Sequence, residues 1–368
     1  MDTKQASFTS YPDLASEVVG GSIIFATDDW FASAENLLKP EAAVFKDDLF
    51  TDFGKWMDGW ESRRKRIAGH DWCIIQLGCP GKIHGIEIST LHFTGNYPIH
   101  CSVQGASLSE RLEPRSGERM GTCASSQEID EIECLKSQNW KELVSLTELR
   151  PGYPETHRSL FNVEEPEKVT HIRLNIFPDG GIARIRVYGE VQPNWSNVEE
   201  NDQLDLVAMI NGGICVDYTD AHYGQASNVI APGRAKKMCE GWETARRQDR
   251  PPILTTDLLS SFGGEWARYK LGHTGYVQKV EIDTKHFKGN YPHTFILEGT
   301  YIVATAEMLD RAEWHEIVSK HPLGPHAQHF IEDKKVKDVG KINYVKLSIY
   351  PDGGISRMLL GGHIAKDE

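Results

Sequence analysis

Two short motifs in this 368-residue chain carry side chains suited to acid-base chemistry. In the first, Gly-Trp-Glu-Ser-Arg-Arg, Glu61 stands beside Arg63 and Arg64, whose forked donors match a carboxylate. In the second, Thr-x-His-Phe-x-Gly-Asn-Tyr-Pro, His92 precedes Asn96. A carboxyl group and an imidazole can transfer protons near neutral pH, and an asparagine amide can orient a carbonyl group. Together the motifs could bind a small anion and move protons.

Both motifs occur again, in the same order, in the second half of the chain. The counterparts are Glu243, Arg246, Arg247, His286 and Asn290. Ala245 stands opposite Arg63 in this register, so the two halves need not carry equivalent sites. Asp28 and Asp220, each following a threonine at the end of an apolar run, are further candidates for substrate binding.

Each candidate also has a purely structural interpretation. The Glu-Arg cluster is typical of surface ion pairs around a core tryptophan, here Trp60. A loop histidine such as His92 can fix its own loop by hydrogen bonds, and an asparagine after glycine simply makes a turn. Asp28 and Asp220 suit a helix cap or a loop acid. Duplication weakens these alternatives but leaves them open, because structural motifs are duplicated too.

The duplication extends over the whole chain. Besides the two motifs, residues 20–28 match 212–220, and Pro-Asp-Gly-Gly-Ile occurs at 178–182 and at 351–355. The period is far too long for a solenoid, so each copy should be a domain with its own core. Extra residues are expected around 250–264 in the second repeat, and at about 105–139 in the first, where they predict a long surface loop.

Strand signals dominate both repeats. Residues 171–177 and 182–188 alternate apolar and polar around an Asp-Gly pair, which predicts a β-hairpin, and residues 344–350 predict a second one. Short helices are expected after Ala32 and Ala226. The fold class is therefore all-β, with one β-sandwich per repeat. The predicted organisation is a tail at 1–15, repeats at 16–192 and 206–368, and a linker at 193–205.

Composition limits the possible partners. The formal net charge of -13 argues against nucleic acid and anionic membrane surfaces, so an anionic substrate must meet locally placed cations. Seven cysteines without a regular framework, and no apolar signal segment, favour a cytoplasmic location. No metal-binding spacing and no nucleophile motif is present, so neither a metal nor another cofactor is predicted.

The chain resembles the allantoicase family. The resemblance rests on Ile-Phe-Ala-Thr-Asp-Asp at 24–29, Ala-Glu-Asn-Leu at 34–37, Asp-Gly-Trp-Glu-Ser-Arg-Arg at 58–64, Asp-Trp-Cys-Ile-Ile at 71–75 and the doubled His-Phe-x-Gly-Asn-Tyr-Pro. It covers nearly the whole chain. It implies a homo-oligomeric hydrolase of purine catabolism, built from two jelly-roll domains similar to galactose-binding modules, which converts allantoate and water to ureidoglycolate and urea.

The candidate residues fit that reaction. Allantoate carries a carboxylate and two ureido groups on one carbon, so the arginines could bind the carboxylate and Asn96 or Asn290 a ureido carbonyl. Glu61 with His92, or Glu243 with His286, would be the acid-base pair. The alternatives are a tandem module that binds a sugar or ureide without catalysis, or an inactive relative of the family.

Overall fold

The computed structural model describes residues 7–199, 201–249, 263–303 and 306–366. They separate into two compact units, Met1–Pro193 and Asn194–Glu368. The extra residues expected around 250–264 lie outside the described residues, except for Gly263 and Gly264.

The first unit is built from antiparallel strands. In chain order its described strands are β1 (Ser22–Ala26), β2 (Phe50–Thr51), β3 (Gly54–Lys55), β4 (Trp60–Glu61), β5 (Asp71–Ser89), β6 (His100–Ala106), β7 (Lys141–Glu148), β8 (Arg158–Asn162), β9 (Lys168–Phe177), β10 (Gly181–Ile182) and β11 (Arg184–Val191).

The second unit repeats this arrangement. Its described strands are β12 (Leu204–Asp205), β13 (Ile214–Tyr218), β14 (Trp242–Glu243), β15 (Glu265–Asp283), β16 (Thr294–Thr300), β17 (His315–Pro322), β18 (Gln328–Ile331), β19 (Ile342–Tyr350), β20 (Gly354–Ile355) and β21 (Arg357–Ile364).

One long strand organises each unit. The N-terminal part of β5 pairs with β1 and β9, and its C-terminal part pairs with β8 and β11. Beyond β9 the sheet continues with β6 and then β7. In the second unit β15 pairs in the same way with β13 and β19, then with β18 and β21. This confirms the predicted all-β fold of two repeated β-sandwich domains.

Apolar side chains of β5 and of the strands that pair with its two parts form the core of the first unit. Ile74 and Ile86 of β5, Leu174 of β9 and Ile185 of β11 are all fully buried. Burying a side chain of this size contributes about 1.5–3 kcal/mol. The core therefore fixes β5 on both sides and leaves the loops at its ends to carry function.

The predicted hairpins are wrong. Strand β9 lies beside the start of β5, with Ile176 opposite Asp71, whereas β11 begins at its far end, with Arg184 opposite Ser89. The two runs therefore pair with different parts of one strand and not with each other. In the second unit β19 and β21 divide β15 in the same way. Local alternation identified the strands, but long-range pairing chose their partners.

Short helices lie where the sequence predicts them, and a further helix lies in a segment predicted as a loop. Short 3-10 helices occupy Ala34–Leu38 and Ala226–Ile230, where short helices were expected. The predicted surface loop at 105–139 instead contains helix α1 (Ser126–Glu133), which begins with a capping box at Ser125. Ile129 and Ile132 of α1 pack against the buried cluster of Phe25, Trp72 and Ile74. This segment therefore covers part of the first unit.

The segments predicted as tail and linker contain ordered contacts. Phe8 and Leu14 are buried in the first unit. Strand β12, at the end of the predicted linker, pairs with β21. Within the described ranges, no helix combines the length and apolar character needed to cross a membrane.

We predict that Gly181→Ala lowers the free energy of unfolding by about 1–3 kcal/mol, because overpacking a filled core forces side chains or backbone to shift. A Cβ at Gly181 would lie 2.0 Å from the buried ring of Phe93. Gly95→Ala is the matched control, since a Cβ there meets nothing within 4 Å. Denaturant midpoints of the two variants measure the difference, and equal midpoints would contradict the packing argument.

Candidate active site

Three duplicated motifs converge at one end of the first unit. Strand β4 pairs with β10, which places Glu61 opposite Gly181. The backbone N–H of Gly181 donates to the carbonyl of Asn96 at 2.7 Å, and that of Ser62 donates to the carbonyl of Gly180 at 3.2 Å. Gly180 adopts a φ of 131°, which favours glycine. The Pro-Asp-Gly-Gly turn thus holds the glutamate and asparagine motifs side by side.

A pocket of about 280 Å³ opens where these motifs meet. It is lined by Phe31, Phe45, Lys55, Met57, Glu61, His92, Thr94 and Asn96. The structure therefore brings together three of the residues predicted from the sequence, Glu61, His92 and Asn96. Its volume suits a small polar molecule.

Glu61 is the electrostatic centre of the pocket. Its side chain is only 9% exposed, and its Oε1 accepts a hydrogen bond of 2.7 Å from Asn96 Nδ2. Burial raises the pKa of Glu61 to about 7, although the Asn96 hydrogen bond acts in the opposite direction. The carboxyl group is therefore poised to exchange a proton near neutral pH.

His92 is held in a defined orientation. Its backbone has a φ of 73°, a left-handed conformation that is uncommon outside glycine. Its Nε2 lies 3.1 Å from the carbonyl oxygen of Ala43, and its ring stacks on Phe45. A carbonyl can only accept, so Nε2 carries a proton and Nδ1 is the nitrogen that can accept one in the neutral ring.

The second unit reproduces this geometry around Glu243. Its Oε1 accepts a 2.5 Å hydrogen bond from Asn290 Nδ2. His286 has a φ of 75°, and its Nε2 lies 3.0 Å from the carbonyl oxygen of Ala235. The structure thus places Glu243, His286 and Asn290 as it places their first-unit counterparts, except that Glu243 is more exposed.

The first-unit arginines lie away from the pocket lining. Arg63 Nε donates to Asp28 Oδ2 at 2.8 Å, and the guanidinium lies 4.4 Å from the ring centroid of Trp30. Asp28 Oδ1 also accepts from the backbone N–H groups of Trp30 and Arg63. The Arg64 side chain is exposed. Asp28 therefore organises the loop after β4.

The second-unit arginines are similarly placed. Arg246 is exposed, and Arg247 forms ion pairs with Asp249 at 2.8 Å and Glu265 at 2.9 Å. Asp220 Oδ2 accepts from the backbone N–H of Ala245 at 2.6 Å. The bond to Ala245 matches the one that Asp28 accepts from Arg63. An aspartate therefore holds the loop after β4 and the loop after β14 in the same way.

Sequence reasoning missed Phe45, Lys55 and Met57, which line the pocket from the segment between Ala43 and Trp60. The spacing of the repeats contains a signal for them. Trp60 follows Ala43 by 17 positions, whereas Trp242 follows Ala235 by 7. We call residues 44–57, which include the β2–β3 hairpin, the first-repeat insertion.

The residues that the structure describes contain no group of three His, Cys, Asp or Glu side chains arranged to hold a metal ion. The seven cysteines are all free thiols. Burial raises the pKa of Cys79 to about 11 and of Cys101 to about 12. These thiols therefore remain protonated and weakly nucleophilic near neutral pH.

Fold and pocket together define a class of protein, a tandem β-sandwich whose first repeat contains a small pocket with a buried carboxyl group, an amide and a histidine among apolar side chains. The family described as the allantoicase repeat matches residues 12–192 and 204–365. This chain belongs to the allantoicase family.

Individual relatives agree over the full length. A probable allantoicase of Pseudomonas fluorescens is 39% identical over 369 residues, covering 100% of both chains. A probable allantoicase of Photobacterium profundum is 40% identical over 365 residues, covering 98% of each. The solved structure of allantoicase from Saccharomyces cerevisiae is similar with a TM-score of 0.73 and 31% identity, covering 97% of each chain.

We predict that Glu61→Gln stabilises the protein at alkaline pH. A pKa raised from 4.5 to about 7 means that the folded state keeps a proton that the unfolded chain loses. Glu61 therefore costs stability progressively as pH rises from about 4.5 to 7, and fully above that range. The variant should gain up to about 3 kcal/mol over the parent at pH 8 and much less at pH 4. Denaturant unfolding at both pH values measures this, and a pH-independent difference would contradict it.

Proposed function

We propose that this protein is an allantoicase, which hydrolyses allantoate to ureidoglycolate and urea. Membership of the family supports the reaction, and the pocket around Glu61 is the observation that supports a site for it. A buried carboxyl group that titrates near pH 7 is suited to acid-base catalysis at neutral pH.

The reaction needs two proton transfers. The bond between the central carbon of allantoate and one ureido nitrogen breaks, and a water oxygen becomes bonded to that carbon. The departing nitrogen must gain a proton before urea can leave, and the water must lose one. In our proposal Glu61 protonates the leaving nitrogen, and Nδ1 of His92 accepts the proton from water.

Asn96 has two roles in this scheme. One of its N–H groups donates to Glu61, and the second remains for a ureido carbonyl of the substrate. The buried carboxyl group and the amide thus act as a unit, because the amide both orients the acid and lowers its pKa.

The first-repeat pocket is the better candidate for catalysis. Glu61 is 9% exposed and lines a pocket whose wall includes three residues of the first-repeat insertion, whereas Glu243 is more exposed. Exclusion of water strengthens the electrostatic interactions of a site. Glu243, His286 and Asn290 retain the geometry and serve as an internal comparison.

Two further proposals concern the oligomeric state and the cellular location. We propose that the enzyme is a homo-oligomer, which light scattering coupled to size-exclusion chromatography tests directly. We propose a cytoplasmic location, supported by the seven free cysteines.

The primary test is urea release from allantoate by the purified protein, with ureidoglycolate identified as the co-product. We expect turnover both before and after treatment with a chelator, because the roles assigned to Glu61 and His92 need no metal. A folded protein that binds allantoate without releasing urea, even with added divalent metals, would instead support the non-catalytic alternative.

We predict that Glu61→Gln and His92→Asn each lower kcat by about 10²–10⁴, the usual contribution of a positioned acid or base. Asparagine tolerates the left-handed backbone at position 92, so the second variant tests the imidazole and not the fold. Glu243→Gln and His286→Asn are the matched controls, expected to retain kcat within a few-fold. Equal losses in both repeats would contradict assignment to the first repeat.

A further prediction concerns the pH profile. Removing the Asn96 amide in Asn96→Ala takes away the hydrogen bond that lowers the pKa of Glu61. Because Glu61 acts as an acid, kcat/KM should fall as pH rises through about 7 in the parent, and the fall should move to higher pH in the variant. An unshifted profile would contradict this pairing.

A further inference from the structure

The pocket contains a carboxyl group but receives an anionic substrate, so a cation must lie near it. The net charge of -13 makes this requirement stronger. Of the side chains that line the pocket in the described parts of the chain, Lys55 is the one with a permanent positive charge. It lies on β3 of the first-repeat insertion.

The other arginines near this end of the first unit do not supply the cation. Arg64 is exposed and is not part of the pocket lining. Arg63 contacts Asp28 through both Nε and Nη2, at 2.8 and 2.7 Å, and stacks on Trp30. Arg184, just after the Pro-Asp-Gly-Gly turn, is buried and pairs with Asp58 at 2.8 Å. Moving the Arg63 guanidinium would take the ion-pair partner from the largely buried Asp28, and moving Arg184 would leave Asp58 with only the longer ion pair to Lys39 at 3.4 Å; both changes are costly.

Lys55 is held by weaker contacts. Its Nζ lies 2.8 Å from Asp47 Oδ1, but the Asp47 side chain is 79% exposed and belongs to the same insertion. Exposed ion pairs of this kind contribute little to stability, because water competes for both charges. A substrate carboxylate can therefore replace Asp47 without leaving a buried charge behind.

Lys55 and His92 line the same pocket and contact the same aromatic ring. Lys55 Nζ lies 4.7 Å from the ring centroid of Phe45, and the same ring stacks on His92 at a centroid distance of 5.5 Å. Phe45 therefore connects the cation to the acid-base group. The carboxylate and the ureido groups of allantoate are attached to a single carbon, so the cation and the acid-base groups that bind them must line one small pocket, as Lys55, Glu61 and His92 do.

We infer that Lys55 binds the substrate carboxylate and that the first-repeat insertion gives the first repeat its specificity for an anionic ureide. This inference rests on the proposed function. It also explains the difference between the repeats, because only six residues separate Ala235 from Trp242 in the second repeat, whereas sixteen separate Ala43 from Trp60 in the first.

The test compares Lys55→Met with Lys46→Met, a matched change within the same insertion at an exposed lysine that does not line the pocket. We expect Lys55→Met to raise KM for allantoate at least tenfold with kcat within a few-fold, Lys55→Arg to restore much of the affinity, and Lys46→Met to match the parent. Asp47→Asn removes the same ion pair but keeps the cation, so its KM should stay equal or fall.

A neutral substrate separates recognition of charge from a loss of folding. The parent should prefer allantoate to its uncharged carboxamide, and Lys55→Met should lose most of that preference. If the parent releases urea from allantoate but Lys55→Met retains the parent KM and preference, the inference about Lys55 is overturned. If the parent releases no urea, the proposed function itself fails.

Discussion

The hydrogen bond from Asn96 Nδ2 to Glu61 Oε1, 2.7 Å long, is the contact on which the first-repeat site depends. A buried carboxyl group is costly unless it is hydrogen-bonded or keeps its proton. Here one amide donor supplies part of the compensation, and the remaining cost of burial raises the pKa of Glu61 to about 7. The same contact therefore positions the carboxyl group and lowers its pKa against the larger effect of burial.

This contact exists because three distant segments are fixed by backbone interactions. Strand β10 pairs with β4, and the backbone N–H of Gly181 donates a hydrogen bond to the carbonyl of Asn96. Glycine is required where Phe93 packs against the turn, since a Cβ at Gly181 would lie 2.0 Å from that ring. The second repeat preserves this arrangement with Gly354 and Phe287. The scaffold is thus common to both repeats.

The repeats differ in what covers the scaffold. The first-repeat insertion adds Phe45, Lys55 and Met57 to the wall of the pocket and places an apolar ring against His92. Binding and catalytic differences commonly arise in loops on a conserved framework, because loops tolerate insertion while strands are constrained by the core. The same scaffold therefore holds a buried glutamate beside the insertion in the first repeat and a more exposed glutamate in the second.

The sequence by itself determined the duplication and the all-β class, and it singled out Glu61, His92 and Asn96 as candidate residues, because these depend on local patterns that occur in both copies. Only the tertiary structure decided that β9 and β11 pair with β5 and not with each other. It also decided that Arg63 forms an ion pair with Asp28 and that Lys55 lines the pocket. Strand pairing and ion-pair choice join residues far apart in the chain, so they are decided by which groups the packed core brings together.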